Sequence, residues 1–253
     1  MKMISWFSCG AASAVATKMA LDANPDTTVY YQDTGSEHPD NARFLGECES
    51  WYDTKIHVVR SPLYPDAWSV WEKRRYIAGV KGAPCTSELK RIPAEKILFS
   101  SDFGVGTPEV FGFTVEEEGR MLRWRENNDE RVIWAPLIDR GMTKADCFSA
   151  LLAQGIKLPA LYLMGYKNNN CIGCPKGGSG YWNKIRIDFP DVFTRMAKLE
   201  RELGAAICKT EPTVGGVRQR IRVFLDELSP DAGRYSSEPS ISCGIFCAGP
   251  EDN

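Results

Sequence analysis

The sequence predicts an α/β protein: a doubly wound, mostly parallel sheet followed by a loop-rich helical C-terminal extension. Three observations carry that expectation. Short apolar, β-prone runs alternate with helix-forming stretches through residues 2–60; a loop of small residues, Ser8-Cys9-Gly10-Ala11-Ala12-Ser13, joins the first strand to the first helix; and from Gly155 onward the texture turns rich in Gly, Asn and Pro.

Taken in order, Ile4, Trp6 and Phe7 read as a strand, Ala11 to Leu21 as a helix, Thr28 to Tyr31 as a strand, Asp40 to Tyr52 as an amphipathic helix and Ile56 to Val59 as a third strand. In sheets of this kind ligands lie beyond the carboxyl ends of the strands, so the loops after residues 7, 32 and 60 are expected to converge on a site. Val110 to Val115 and Val132 to Leu137 are further strand candidates. Thr143 to Gln154 reads as a helix, with Thr143 as its cap and Asp146 in its first turn. Pro190 to Leu203 is predicted helical, with proline near its start, an apolar face of Val192, Phe193, Met196, Leu199 and Leu203, and Gly204 closing it. Val217 to Leu228 reads as a second helix carrying Arg218, Arg220 and Arg222. The tail from Ser229 is dominated by Ser, Pro, Gly and acidic residues and is expected to be mobile or held by something other than a core. The organisation expected is one domain over residues 1–253, with an α/β core to about residue 165 and a cysteine-bearing extension from about residue 166.

Composition narrows the functions. The 253 residues can bury roughly 70 to 75% of their unfolded surface. With 31 Lys and Arg against 33 Asp and Glu, no global positive field holds nucleic acid, although a local basic cleft stays open. No apolar run reaches the ~18 residues of a membrane span. Lys2 before a mildly apolar stretch imitates a secretory leader, but Ser5, Ser8, Gly10 and Ser13 dilute it. Only His38 and His57 are available for histidine chemistry, and neither has partners at metal-ligand spacing. Nine cysteines, an odd number in a chain too long to need a disulfide scaffold, point to reduced thiols and a cytoplasmic setting.

Small side chains in the Ser8–Ser13 loop let backbone N–H groups and two hydroxyls approach an anion at the positive end of the first helix. No lysine follows the loop, so it is not a Walker-type phosphate loop. Cys171-Ile172-Gly173-Cys174 is a tight turn that aims two thiols at one point, which by itself serves thiol redox chemistry or half of a metal site. Cys9, Cys48, Cys147 and Cys208 fall in or beside regular elements, where a small buried hydrophobe is the default.

These residues carry a resemblance. Ser8-x-Gly10-x-x-Ser13 is similar to the PP-loop of the adenine nucleotide alpha hydrolase superfamily, a Rossmann-like fold. Asp33-Thr34-Gly35, Pro39-Asp40 and Phe44 resemble the pattern of phosphoadenylyl-sulfate (PAPS) reductases. So, in order, do Cys85 with Lys90 and Pro93, Gly112 with Glu117 and Arg120, Pro136-Leu137, Leu158-Pro159 with Leu161-Tyr162, Gly165 before the Cys171/Cys174 turn, and Cys243-Gly244-Ile245. The resemblance implies a nucleotide site at Ser8, Cys9, Gly10, Ala11, Ser13, Asp33, Thr34, Gly35 and Glu117. It implies Lys90 and Arg120 as phosphosulfate-binding cations and Cys243 as the thiolate that attacks sulfur. It also implies a 4Fe-4S cluster on Cys85, Cys171, Cys174 and a tail cysteine, Cys247 if Cys243 is the nucleophile; the ligand pattern alone equally allows zinc. A thioredoxin-like dithiol would then be the electron donor, and a homodimer is compatible with the pattern.

Departures from the family shape the alternatives. Ala12 replaces an Asp of many ATP pyrophosphatase loops, Cys85-Thr86 stands where cluster-bearing reductases have paired cysteines, and Ser242 and Phe246 replace a Glu and a His flanking the cysteine-glycine pair. Three functions follow. The first is thiol-dependent reduction of an adenylyl sulfate to sulfite. The second is an ATP-dependent sulfurtransferase modifying tRNA or DNA, against which Ala12 counts and for which Arg218 to Arg222 is the only hint. The third is a nonenzymatic nucleotide- or cluster-binding partner of a larger complex.

Overall fold

The structure, a computed structural model, describes residues 2–79, 82–104, 106–211, 213–214, 217–241 and 243. Along the chain run β1 (Met3–Phe7), α1 (Ala11–Ala23), β2 (Thr27–Gln32), α2 (Asn41–Tyr52), β3 (Ile56–Val59), α3 (Ala67–Arg74) and the single turn α4 (Pro84–Thr86). Then come α5 (Ile92–Leu98), β4 (Glu109–Val110), α6 (Glu118–Glu126), β5 (Ile133–Trp134), α7 (Pro136–Asp139), α8 (Lys144–Ala153) and α9 (Ala160–Leu163). Last are α10 (Ser179–Asp188), α11 (Pro190–Leu203), β6 (Cys208–Thr210), β7 (Thr213–Val214), β8 (Val217–Arg218) and β9 (Ile221–Val223). They fall into two compact units interleaved along the chain: Met1–Asp33, Glu37–Ser61 and Arg91–Asn169 in the first, and Thr34–Ser36, Pro62–Lys90 and Asn170–Asn253 in the second. Among the described residues, no helix is long and apolar enough to cross a membrane.

The first unit is a five-stranded parallel sheet in the order β3-β2-β1-β4-β5. All five residues of β1 are buried, which is why Met3–Phe7 is apolar on both faces except at Ser5, whose hydroxyl lies 2.8 Å from that of Thr17. Its core gathers Met3, Phe7, Val15, Val29, Phe44, Leu137 and Leu151, with Phe7 stacked on Phe44 at 6.1 Å between ring centres. Thr143 and Asp146 cap α8 reciprocally, as the sequence predicts. One charge sits in the sheet itself: Glu109, fully buried, accepts from Trp6 Nε1 at 2.7 Å and from Arg131 Nε at 2.8 Å. This paired carboxylate is structural.

The fourth and fifth strands are shorter than expected, two residues each instead of Val110–Val115 and Val132–Leu137. Each is cut by the start of something else. Thr114 forms a reciprocal cap with Glu117 and opens a helical turn, and Pro136, which cannot donate to a ladder, occupies the first turn of α7.

In the second unit α11 spans the predicted Pro190–Leu203 and is closed by Gly204 in the left-handed region, φ 64°. The helix expected over Val217–Leu228 is not formed. β7 pairs with β8 and β9 with β6, both antiparallel, and only Leu225–Glu227 makes a helical turn. The β-branched Thr213, Val214, Val217, Ile221 and Val223, with two glycines between the first pair and the third, favour hairpin over helix. Arg220 pairs with Glu211 and Arg222 Nη1 donates to Ala206 O at 2.6 Å, so two of the three arginines hold local structure.

Within the first unit Asp40 ties the start of α2 to Ala160: its carboxylate accepts from Arg43 at 2.7 and 2.8 Å and from the Ala160 N–H at 2.9 Å. The Arg43 hydrogen bonds, more than burial opposes, hold its carboxyl below the usual 3.8. A depressed folded value means a contribution complete above 3.8 and lost as pH falls through the folded value. Asp40→Asn is therefore expected to lower stability in urea unfolding at neutral pH by about 1 kcal/mol, with the difference from wild type closing as pH falls below 3.8.

Candidate functional site

In the first unit the loop at the end of β1 is closed by one hydroxyl. Ser13 Oγ accepts from the Ser8 N–H at 3.1 Å and from the Ser8 hydroxyl at 2.9 Å, and donates to Gly10 O at 2.9 Å. Gly10 caps α1 without any side-chain bond, so the positive end of the helix is left to backbone N–H groups. Cys9 sits in the left-handed region, φ 55°, and is buried, its thiol pushed well above the ordinary value by burial. Its contribution to the loop is therefore its backbone: Cys9 O accepts from Asn169 Nδ2 at 2.7 Å, and the same amide group donates to Asn41 Oδ1 at 2.8 Å.

The end of β4 abuts this loop. A Cβ added to Gly112 would lie 2.5 Å from Ser13 N and 2.7 Å from the Ala12 carbonyl carbon, so only glycine lets the two backbones approach. Tyr162 completes the wall: its hydroxyl lies 3.4 Å from the Ala11 nitrogen, and burial pushes its pKa to about 12. The Lys144 ammonium lies 5.3 Å from the centre of the Tyr162 ring, with its pKa lowered chiefly by burial, and hydrogen-bonds to Lys167 O and Asn168 Oδ1. Asn169 and Lys144 had no sequence signal pointing to the loop; an Asn or Lys a hundred residues away is placed only by the fold.

Two more of the expected nucleotide-site residues, Asp33 and Glu117, and the expected cation Arg120 have partners inside the first unit. Asp33 accepts from exposed Arg60 at 2.8 Å, which puts an ion pair at the carboxyl ends of β2 and β3. Glu117 accepts from Arg120 at 2.8 Å and caps its own helical turn, while the Arg120 guanidinium lies 5.2 Å from the Phe113 ring centre. Glu117 and Arg120 thus shape the segment after Gly112.

The second unit holds the sulfur atoms. Gly173, φ 76°, makes the Cys171–Cys174 turn, and a Cβ there would lie 2.6 Å from Val192 Cγ1. The turn is held by Tyr181, whose hydroxyl accepts from the Gly173 and Cys174 N–H groups, each at 3.0 Å. Ser36 O takes the Ile172 N–H at 2.9 Å, and the Thr34 hydroxyl lies 3.0 Å from Cys171 Sγ. Gly35, φ 64°, packs so closely that its Cβ would fall 2.0 Å from Pro65 O. Thr34 and Gly35 thus support the cysteine turn.

Cys85, Cys174 and Cys243 lie close enough to feel one another's charge. Burial pushes the Cys85 thiol to about 11, with Cys243 raising it further and Trp71, Lys90 and Lys176 pulling it back. Cys174 is raised by burial and then by Cys243. The buried Trp71 indole lies beside the Cys85 thiol. The Thr86 hydroxyl, at the position of the family's second cysteine, lies 3.8 Å from Cys243 Sγ. So Cys243, expected as the nucleophile, sits with Cys85 and Cys174, while Cys171 contacts Thr34. Cys247 lies outside the described residues. Soft thiols suit iron–sulfur or zinc chemistry, but among the described residues no three His, Cys, Asp or Glu side chains are arranged to hold a metal ion.

Comparison with known proteins adds the following. Residues 2–177 match the family model described as "phosphoadenosine phosphosulfate reductase domain". An uncharacterized protein of Methanocaldococcus jannaschii is 23% identical over 210 residues, covering 78% of this chain. The match covers 47% of that relative, so the chain spans about half the length of the curated relative it matches. The crystal structure of phosphoadenylyl-sulfate reductase from Candida auris, a phosphate complex, aligns with a TM-score of 0.48 at 12% identity over 66% of this chain and 81% of that one.

The backbone contact at Gly112 gives a direct test. Gly112→Ala is expected to cost about 1–3 kcal/mol in urea unfolding, because the Ser13 backbone must shift. Gly46→Ala, in α2 with nothing within 4 Å of the new methyl, is expected to gain about 0.5–1 kcal/mol.

Proposed function

The chain belongs to the phosphoadenosine phosphosulfate reductase domain family, and from that premise we propose that it is a thiol-dependent sulfonucleotide reductase. What supports this reading is the place of Cys243: its Sγ lies 3.8 Å from the Thr86 hydroxyl and close enough to Cys85 and Cys174 to raise both thiols. Only the thiolate is a nucleophile.

The substrate is an adenylyl sulfate, with the uncapped start of α1 and the Ser8 and Ser13 hydroxyls as the receptor for its anionic tail. The Cys243 thiolate attacks the terminal sulfur. An S–S bond forms and the sulfur–oxygen bond to phosphate breaks, its electron pair leaving on the adenosine phosphate. The product on the protein is a Cys243 S-sulfonate. An external thioredoxin-like dithiol then attacks Cys243 Sγ, releasing sulfite as a mixed disulfide forms. Its second thiol resolves that disulfide, so the carrier is oxidised and Cys243 returns as a thiol. No step depends on a metal.

The test is sulfite release from PAPS or its non-phosphorylated analogue with thioredoxin as reductant. The expected result is turnover that Cys243→Ser lowers by about a thousandfold or more, with nucleotide binding retained. Wild-type protein that binds the nucleotide and forms no sulfite would contradict it.

A further inference from the structure

The tail after β9 lies along α10 and runs against the helix direction. Arg186 Nη2 donates to Leu225 O at 3.3 Å and Leu228 O at 2.7 Å. One turn earlier, Asn183 Nδ2 donates to Ser229 O at 2.9 Å and Ala232 O at 2.8 Å. At the start of the helix, the Gly180 and Tyr181 N–H groups donate to the Glu238 carboxylate at 2.6 and 3.0 Å. Before the helix, Asn170 Nδ2 donates to Ile241 O at 2.9 Å. Successive tail residues thus meet successively earlier residues, and the next described one is Cys243.

The seam is shaped for backbone. A Cβ on Gly180 would lie 2.4 Å from Tyr235 N, and one on Gly233 would lie 2.4 Å from Gly180 N. Gly178 caps α10 without a side chain, and Glu238 supplies from the tail the anionic cap that the helix lacks. Tyr181 links the two ends of the arrangement: its N–H binds Glu238, and its hydroxyl holds the Cys171–Cys174 turn.

We propose that Glu238 is a positioning residue: by capping α10 it latches the tail along the helix and so sets where Cys243 sits relative to Cys85 and Cys174. The proposal rests on Cys243 belonging to the sulfur site, but its test reads thiol protection and needs no turnover. Absent sulfite would contradict the reaction and leave the latch standing.

The test alkylates the reduced full chain with iodoacetamide and follows each cysteine by peptide mass spectrometry. Glu238→Ala is expected to speed alkylation of Cys243 about tenfold, while buried Cys9 and Cys48 keep their wild-type rates. Glu238→Gln, which keeps one acceptor, should fall between. Gly180→Ala, which displaces the tail backbone without altering the carboxylate, should match Glu238→Ala. If a variant loosens the whole chain, Cys9 and Cys48 also react faster and the ratio of Cys243 to Cys9 decides. A ratio no higher than wild type in both variants overturns the proposal.

Discussion

Close approach of backbone to backbone, with no side chain between, is the constraint on which the Ser8–Ser13 loop of the first unit and the cysteine turn of the second each depend. At Gly112 it lets the end of β4 touch the first turn of α1, beside the Ser8–Ser13 loop. At Gly35 it seats the Thr34–Ser36 segment against Pro65, and from there Thr34 and Ser36 reach Cys171 and Ile172. Charge is secondary in this design. The net charge of −2 offers no long-range attraction for an anion, and a receptor made of helix-end N–H groups needs none.

The sulfur site follows a different logic. Burial alone would keep Cys85 and Cys174 protonated, and the neighbouring Lys90, Lys176 and Trp71 only partly offset it at Cys85. Cys243 follows a segment held by polar contacts along α10.

Much of the fold was legible because strand and helix periods alternate cleanly through residue 60 and because Thr143, Pro190 and Gly204 mark helix ends by their own chemistry. The two short antiparallel ladders over Cys208–Val223 were not: Val217 to Leu228 read as a helix, whereas Val217 pairs with Val214, and Ile221 and Val223 pair with Thr210 and Cys208. The loop Ser8–Ser13 and the Cys171–Cys174 turn were visible as motifs. Their supports, Asn169, Tyr181 and Glu238, were not, because a residue that holds a turn by one hydrogen bond leaves no periodic trace. The Cys171–Cys174 spacing offered half of a metal site, and the four-cysteine cluster came only with the family resemblance.

The central claim, that Cys243 takes the sulfonate from a nucleotide, is tested most directly by the mass of the protein after exposure to PAPS or its non-phosphorylated analogue without any dithiol. The account predicts one adduct of about 80 Da, on the peptide containing Cys243, that a dithiol removes as sulfite. No adduct, or one carried by another cysteine, would contradict it.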